Sequence, residues 1–489
     1  MPLGIDPVVL AFVLELAGLG LHITIIGWVL LARRRDPTAT LAWVLFIVLA
    51  PVLGVLVYLL LGRTRMRRTV KRSARAVTRL ERVLSQHNVR DRLMGRGGRT
   101  AETRTAAQVS LGNALASTPA SSGNAVRVLN DAAITYREIL EAIDEAEDHI
   151  HVQFYIIQPD GVGAALRDAL ARRAASGIEV RVLCDAIGSY SLPSDFWQPL
   201  CDAGGHAAVF GPLTKLIPRI RRRDRADFRN HRKIVVVDGQ IGFTGGINVG
   251  REYLGLDPDI GAWRDTHVRV EGPAALSLQQ TFLHDWLMST GERLEDERYF
   301  PESPSAGDCM VQVIDSGPDQ RWPAMELYYA QAIALSCDRV WITNPYFIPS
   351  QAILAAITVA ALRGVDVRLL LPAKSDSLLV TLASRSYYPE LLSAGVRIFE
   401  YARGFVHAKT MVVDEWLATV GSANMDMRSF ILNFELNAFV FGPALCRDLA
   451  GRFEIDLEAA FEVTAERERR VRFARRLARA VARLLSPLL

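Results

Sequence analysis

The sequence predicts an α/β fold of two pseudo-symmetric repeats in one chain, preceded by an N-terminal two-helix membrane hairpin. Three observations carry that expectation. First, His231-Arg232-Lys233, Asp238 and Gly245-Gly246-Ile247-Asn248 match His407-Ala408-Lys409, Asp414 and Gly421-Ser422-Ala423-Asn424 at a constant offset of 176 residues (407 − 231). Second, strand-like and helix-like segments alternate in the same order before each copy. Third, two long apolar runs precede both copies.

The apolar runs come first along the chain. Pro7 to Ala32 holds 26 residues with only Glu15 and His22 ionisable, enough to cross a bilayer with tilt. It lacks a basic leader, so an anchor is expected rather than a cleaved signal. Leu41 to Leu61 forms a second uncharged run, with Trp43 and Tyr58 near its ends as interfacial residues and Pro51 as a kink. Residues 1–62 are therefore expected to be a two-segment transmembrane hairpin. The loop between the runs carries Arg33, Arg34 and Arg35, whereas Arg63, Arg65, Arg67, Arg68, Lys71, Arg72, Arg75 and Arg79 follow the second. That excess predicts a multi-pass protein of the cell membrane with its large C-terminal part in the cytoplasm. A re-entrant hairpin on one leaflet is the alternative.

Residues 63–123 read as a basic, helix-prone segment and then a flexible linker, because Gly95 to Gly123 is rich in Gly, Ala, Ser and Thr. A first repeat is expected over 124–300. Its helices are Ala132–Glu147 and Ala164–Ala175, and its strands His151–Ile157 and Val180–Leu183. A second repeat over 301–463 has helices Trp322–Ser336 and Gln351–Arg363, and strands Val340–Asn344 and Val367–Leu371. Residues 464–489 read as a basic amphipathic helix: Phe473, Leu477, Val481, Leu484 and Leu488 recur at helical spacing among arginines. That stripe suits an anionic membrane surface or docking on its own domain.

The five cysteines are dispersed without a C-x-x-C, which argues against a disulfide framework or a zinc site. His149 and His151 are expected to end a helix and begin a strand rather than bind metal. No metal and no cofactor is expected. The net charge of +4 is modest. A basic stretch from Lys215 through Arg219, Arg221, Arg222, Arg223 and Arg225 to Arg229 suits anionic headgroups.

In each motif the apolar run after the lysine reads as a strand, so His and Lys two apart share one side of it. Arg264 to Gly272 aligns with Phe434 to Gly442 at an offset of 170 (434 − 264), which makes Asp265 and Glu435 equivalent. A carboxylate there can fix a histidine tautomer. Two histidines facing one phosphodiester suit a two-step displacement, one attacking phosphorus and the other moving protons. Lys233, Lys409, Asn248 and Asn424 would donate to the non-bridging oxygens. Asp238 and Asp414 complete the catalytic motifs, although a strand end suits them to structural bonds.

This H-x-K-x4-D pattern with its trailing G-[GS]-x-N resembles the phospholipase D superfamily. The resemblance implies a histidine-orienting acid after each motif, with His231 as nucleophile and His407 as acid/base; the symmetry of the residues leaves both eligible. Arg33-Arg34-Arg35-Asp36-Pro37, Trp263-Arg264-Asp265-Thr266-His267, Asn344-Pro345-Tyr346-Phe347-Ile348-Pro349, Asn433-Phe434-Glu435 and the ending Ser486-Pro487-Leu488-Leu489 are similar to bacterial cardiolipin synthases. That family's reaction joins two phosphatidylglycerol molecules into cardiolipin and glycerol. It implies lipid substrates, an anionic membrane surface and no nucleic-acid partner. A phospholipase D using water as acceptor, a nuclease, and an inactive scaffold are the alternatives.

Overall fold

The computed structural model describes residues 37–61, 103–211, 228–256 and 261–486, with scattered residues between 9 and 30. The chain divides into two compact units, one of residues 1–68 with 214–227 and one of residues 69–213 with 228–489.

In the first unit the run Leu41–Leu61 folds as two helices, Pro37–Leu49 and Pro51–Leu61. Proline lacks the amide hydrogen that would bond the preceding turn, so the run breaks at Ala50 and Pro51. At 1.5 Å per residue the helices are roughly 20 and 16 Å long, short of the ~30 Å hydrocarbon core. Among the described residues no helix is long and apolar enough to cross a membrane. This overturns the expected transmembrane hairpin and the multi-pass membrane localisation. The Pro7–Ala32 run lies mostly outside the described residues. What the helices do bury is local: Trp43 meets Tyr58 edge-on at 5.3 Å, beside buried Ile47 and Val29.

The second unit holds both repeats. The first supplies β1 (Ser121–Leu129), β2 (His149–Phe154), β3 (Glu179–Asp185), β4 (His206–Phe210), β5 (Ile234–Val237), β6 (Ile241–Gly245), the short β7 (Trp263–Arg264) and β8 (His267–Glu271). The second supplies β9 (Cys309–Ser316), β10 (Arg339–Thr343), the short β11 (Phe347–Ile348), β12 (Asp366–Pro372), β13 (Arg397–Tyr401) and the short β14 (Phe405–Val406). It continues with β15 (Thr410–Val413), β16 (Leu417–Gly421), the short β17 (Met425–Asp426), β18 (Glu435–Phe441) and β19 (Ala460–Val463). Fifteen of these form one sheet, ordered β19-β13-β12-β10-β15-β16-β18-β9-β1-β8-β6-β5-β2-β3-β4. Counted outward from the central antiparallel β9–β1 pair, the two halves repeat strand for strand until β19 adds an edge to the second. That is the expected pseudo-symmetry of two α/β repeats.

Inner strands such as β5 (Ile234-Val235-Val236-Val237), β15 and β16 are buried on both faces and read as apolar runs, whereas the edges β4 and β19 keep exposed positions. Ile150, Val152, Val182, Val235 and Phe243 fill the first core, and Ile342, Leu369, Ile398, Met411 and Phe439 the second. The expected helices appear as Ala132–Asp144, Gly161–Ala175, Ala324–Ala334 and Gln351–Leu362.

Three segments differ from expectation. Thr103–Leu115, read as linker, is a helix, and β1 begins at Ser121 inside the same stretch. The helix packs on the second core through half-buried Val109, Leu111 and Leu115 together with the buried Gln108 and Gly112. Gln108 Nε2 donates to the Tyr328 carbonyl at 2.9 Å, and a Cβ on Gly112 would stand 2.2 Å from the Gln312 side chain. His149 and His151 both lie within β2, where His151 stacks on Phe282. The C-terminal segment forms two helices, Ala465–Arg469 and Phe473–Leu484, instead of one.

Candidate active site

Each histidine stands just before a buried strand, His231 before β5 and His407 before β15. The other repeat holds it there. The His231 amide donates to the Phe434 carbonyl and the Phe434 amide to the Arg229 carbonyl, both at 2.9 Å. Likewise the His407 amide donates to the Arg264 carbonyl at 2.7 Å, as β14 pairs in parallel with β7. These ladders carry the acids across with them. His231 Nδ1 bonds Glu435 Oε2 at 3.0 Å, and His407 Nδ1 bonds Asp265 Oδ2 at 2.7 Å. Each imidazole is therefore oriented through Nδ1 by the carboxylate of the opposite repeat, with Nε2 on the far side of the ring from that acid.

The two acids are seated differently. Asp265 takes the Thr266 amide at 2.7 Å and lies so close to Gly246 that a Cβ there would fall 2.1 Å from its Oδ1. The longer Glu435 instead takes the Ser422 hydroxyl and, at 3.2 Å, the Asn433 amide. Glycine against aspartate and serine against glutamate are thus two solutions to one spacing. Sequence reasoning missed Gly246 and Ser422, although the variable G-[GS] position marks them.

Lys233 and Lys409 are fully buried and reach back to the carbonyls of His231 and His407. Lys409 Nζ stands 2.9 Å from both ring nitrogens of His407, and Lys233 Nζ lies 5.6 Å from the Tyr155 ring centre. Burial pushes Lys233 down to about 7 and Lys409 to about 8, against the pull of Glu435 and Asp265. Burial, then Lys409, takes His407 down to about 4, and burial lowers His231 as well. Burial opposes ionisation of both acids, yet Lys409 and His407 hold Asp265 below its ordinary range, and His231 and Lys233 do so for Glu435. Each lysine acts on the histidine of the other repeat, Lys409 on His231 and Lys233 on His407. The two motifs form one electrostatic site.

Aromatic rings line it unequally. Tyr155 meets His231 edge-on at 4.9 Å, whereas Trp263, Phe405, Tyr253 and Tyr346 stand 5.1, 5.7, 5.9 and 6.5 Å from His407. Tyr346 is fixed by its hydroxyl on Asp376 Oδ2 at 2.6 Å. None of these rings has a spacing signal in the sequence.

The asparagines diverge. Asn424 keeps a buried Oδ1 without a partner. Asn248 spends its side chain on structure: Oδ1 takes the Ile156 amide at 3.1 Å, and Nδ2 donates to the Tyr253 hydroxyl at 2.5 Å. Asp238 and Asp414 sit at the far ends of β5 and β15, about 20 Å along the strand from their histidines at ~3.3 Å per residue. Both hold left-handed backbone, φ 52° and 51°. Asp238 accepts the amides of Glu147, Asp148 and His149 at 2.8, 2.8 and 2.9 Å. Asp414 does the same for Cys337, Asp338 and Arg339, and pairs with Arg104 at 2.8 Å. They are anchors that clamp β5 to β2 and β15 to β10, and they do not reach the reacting atoms. Of the basic stretch before the first motif, Lys215 to Arg225 lie outside the described residues, and Arg229 is buried beside Asp185 at 3.4 Å.

A family model described as "Cardiolipin synthase, PLD-like domain" matches residues 139–286 and 329–457, and one described as "Phospholipase D-nuclease N-terminal" matches 23–63. The chain is 39% identical over 473 residues to a cardiolipin synthase of Alkalihalophilus pseudofirmus, covering 96% of this chain and 92% of that one. It is 38% identical over 468 residues to the major cardiolipin synthase of Bacillus subtilis, covering 94% and 96%. The crystal structure of a Haemophilus influenzae phosphatidylserine synthase shares the fold, with TM-score 0.58 and 13% identity over 79% of this chain and all of that one.

Proposed function

Because the chain belongs to the bacterial cardiolipin synthases, phospholipase D-type phosphatidyltransferases, we propose that it joins two phosphatidylglycerol molecules through a covalent phosphatidyl-histidine. The observation that carries this reading is the crossed pairing of His231 with Glu435 and His407 with Asp265. It makes one site of two motifs, with two imidazoles oriented alike through Nδ1.

His231 Nε2 attacks the phosphorus of the first phosphatidylglycerol. The P–O bond to its headgroup glycerol breaks, and His407 Nε2 gives the departing alkoxide its proton, releasing glycerol. The bound phosphodiester adds its negative charge to that of Asp265 in keeping a proton on His407 for this step. A headgroup hydroxyl of the second phosphatidylglycerol then passes its proton to His407 and attacks phosphorus. The P–N bond breaks, leaving cardiolipin and a free His231. Lys233, Lys409 and Asn424 surround the position where phosphoryl charge gathers, and preorganised cations in a buried site are worth several kcal/mol there. Glu435 balances the positive charge of the phosphorylated imidazole. The ring wall around His407, itself 6% exposed, favours a lipid hydroxyl over water as acceptor. The substrates being lipids, the enzyme works at an anionic membrane surface.

The test is turnover of purified protein in detergent–phosphatidylglycerol micelles with EDTA present, products followed by lipid mass spectrometry. Cardiolipin with equimolar glycerol, abolished by His231→Ala and by His407→Ala, is expected. Phosphatidic acid as the main product would make the enzyme a hydrolase.

A further inference from the structure

The C-terminal helix Phe473–Leu484 docks the wrong way round for a helix that merely covers its own domain. Its apolar residues Phe473, Leu477, Val481 and Leu484 are 77, 54, 53 and 79% exposed, while Arg479 and Ala482 are 7 and 2% exposed. At ~100° per residue the four apolar side chains span about 80° of arc, and Arg479 and Ala482 lie on the opposite side. The docked face is held by polar bonds. Arg479 pairs with Glu468 and donates to the Arg385 carbonyl at 3.5 Å, Arg483 pairs with Glu390 at 3.2 Å, and the Tyr387 hydroxyl donates to Ser486 at 3.3 Å. An apolar stripe left outward by a specific ion-paired dock is a surface meant for something else.

We propose that this helix is an interfacial element, which lays its outward stripe into an anionic lipid surface next to the active site. The charges fit that occupant. Arg476 is exposed ~60° round from the stripe's edge and Arg472 and Arg475 ~100–120° from it, and Arg472 and Arg475 make no ion pair among the described residues. An apolar stripe on a helix whose remaining surface is basic suits anionic headgroups over acyl chains. A second copy of the chain would cover the stripe but bring no carboxylate of the same helix to these arginines, since Phe473–Leu484 holds none.

The position fits as well. The helix packs on Leu378–Arg385, whose first residues Leu378 and Leu379 are themselves 75 and 37% exposed. That helix follows directly on Asp376, which holds Tyr346 beside His407. The lipid surface would thus lie one helix away from the ring wall of the site. The docking itself is independent of the reaction; only its effect on turnover rests on the lipid-substrate reading.

The test uses the full chain with a photo-crosslinking phenylalanine analogue in place of Val481, and separately in place of Ala478 as a less apolar-facing control. Each is irradiated on vesicles of phosphatidylglycerol and phosphatidylcholine, and on phosphatidylcholine alone. Lipid adducts at position 481 are expected, at least fivefold above those at 478, and falling at least fivefold without the anionic lipid. Protein–protein adducts at 481 instead, or equal lipid labelling at both positions, would overturn the proposal. In parallel, Leu477→Ser/Val481→Ser should lower turnover of vesicle phosphatidylglycerol at least fivefold and leave turnover of monomeric short-chain phosphatidylglycerol unchanged. Equal turnover on vesicles also overturns it. Failure of every form to make cardiolipin would refute the reaction while leaving the adduct readout intact.

Discussion

Replacing Glu435 by glutamine removes one negative charge from beside His231 while keeping an oxygen able to accept from Nδ1. Glu435 Oε2 lies 3.0 Å from that nitrogen and the residue is wholly buried, so solvent does not screen the pair. With charge centres about 4 Å apart and an effective dielectric constant of ~20, the lost attraction for a positively charged imidazole is about 4 kcal/mol. At ~1.36 kcal/mol per decade this is roughly a thousandfold in kcat. The loss belongs to the charged state of His231, so binding of the first lipid should change far less than kcat. Because Glu435 raises the affinity of His231 for a proton, the variant should also shift the acid limb of kcat/KM to lower pH. The assay is initial-rate cardiolipin formation across pH, with a thermal melt to verify the fold. A His231→Ala/Glu435→Gln double variant should be no slower than His231→Ala alone, since both changes act through one group. A kcat within threefold of the parent, or additive losses in the double variant, would refute the reasoning.

Four further outcomes follow from the geometry. Parent enzyme pulsed with phosphatidylglycerol and quenched with denaturant at neutral to mildly alkaline pH, where a P–N bond survives, should carry the phosphatidyl group on the His231 peptide; label on another residue would reassign the nucleophile. Because Lys233 and Lys409 sit at about 7 and about 8 and must be charged to receive phosphate, kcat/KM should fall as pH rises through 7 to 8, and Lys409→Met should cost on the order of 10²–10³-fold in kcat. Gly246→Ala puts a Cβ 2.1 Å from Asp265 Oδ1, which must tilt the carboxylate off His407; roughly 10–100-fold lower kcat with a near-normal melt is expected by steady-state kinetics. Asp238→Ala strands three amides and strains a positive φ, so it should cost about 2–4 kcal/mol of stability by denaturant unfolding, while the folded fraction keeps its kcat within a fewfold; a selective loss of kcat would return Asp238 to the chemistry.

Much of the site is legible in the amino-acid sequence, because chemistry repeated at fixed spacing is hard to obtain by chance. The two H-x-K pairs, the equivalence of Asp265 and Glu435, and the alternation of strands and helices all read directly from the chain. The crossing of the acids does not. Symmetry-equivalent positions look the same whether each carboxylate serves its own histidine or the other's, and only the β7–β14 and Phe434–Arg229 pairings decide. The helix Thr103–Leu115 hides because its two buried positions are Gln108 and Gly112, which break the apolar pattern that Leu111 and Leu115 would otherwise show. Asn248 looks equivalent to Asn424 until Tyr253, which has no tyrosine counterpart in the second repeat, claims its amide. The membrane hairpin fails for a related reason: mean hydropathy reads through Pro51, but the helix ends there. The C-terminal stripe is visible in sequence, yet which face docks is set by Glu468 and Glu390, outside the stripe's own pattern.

The most direct test of the two-histidine account is the stereochemical course at phosphorus. A phosphatidylglycerol made chiral at phosphorus with sulfur and heavy oxygen would be converted by the enzyme, and the product's configuration read by phosphorus NMR. Attack by His231 and displacement by the second lipid each invert phosphorus, so the account predicts net retention. Net inversion would mean one direct displacement and would contradict the covalent intermediate.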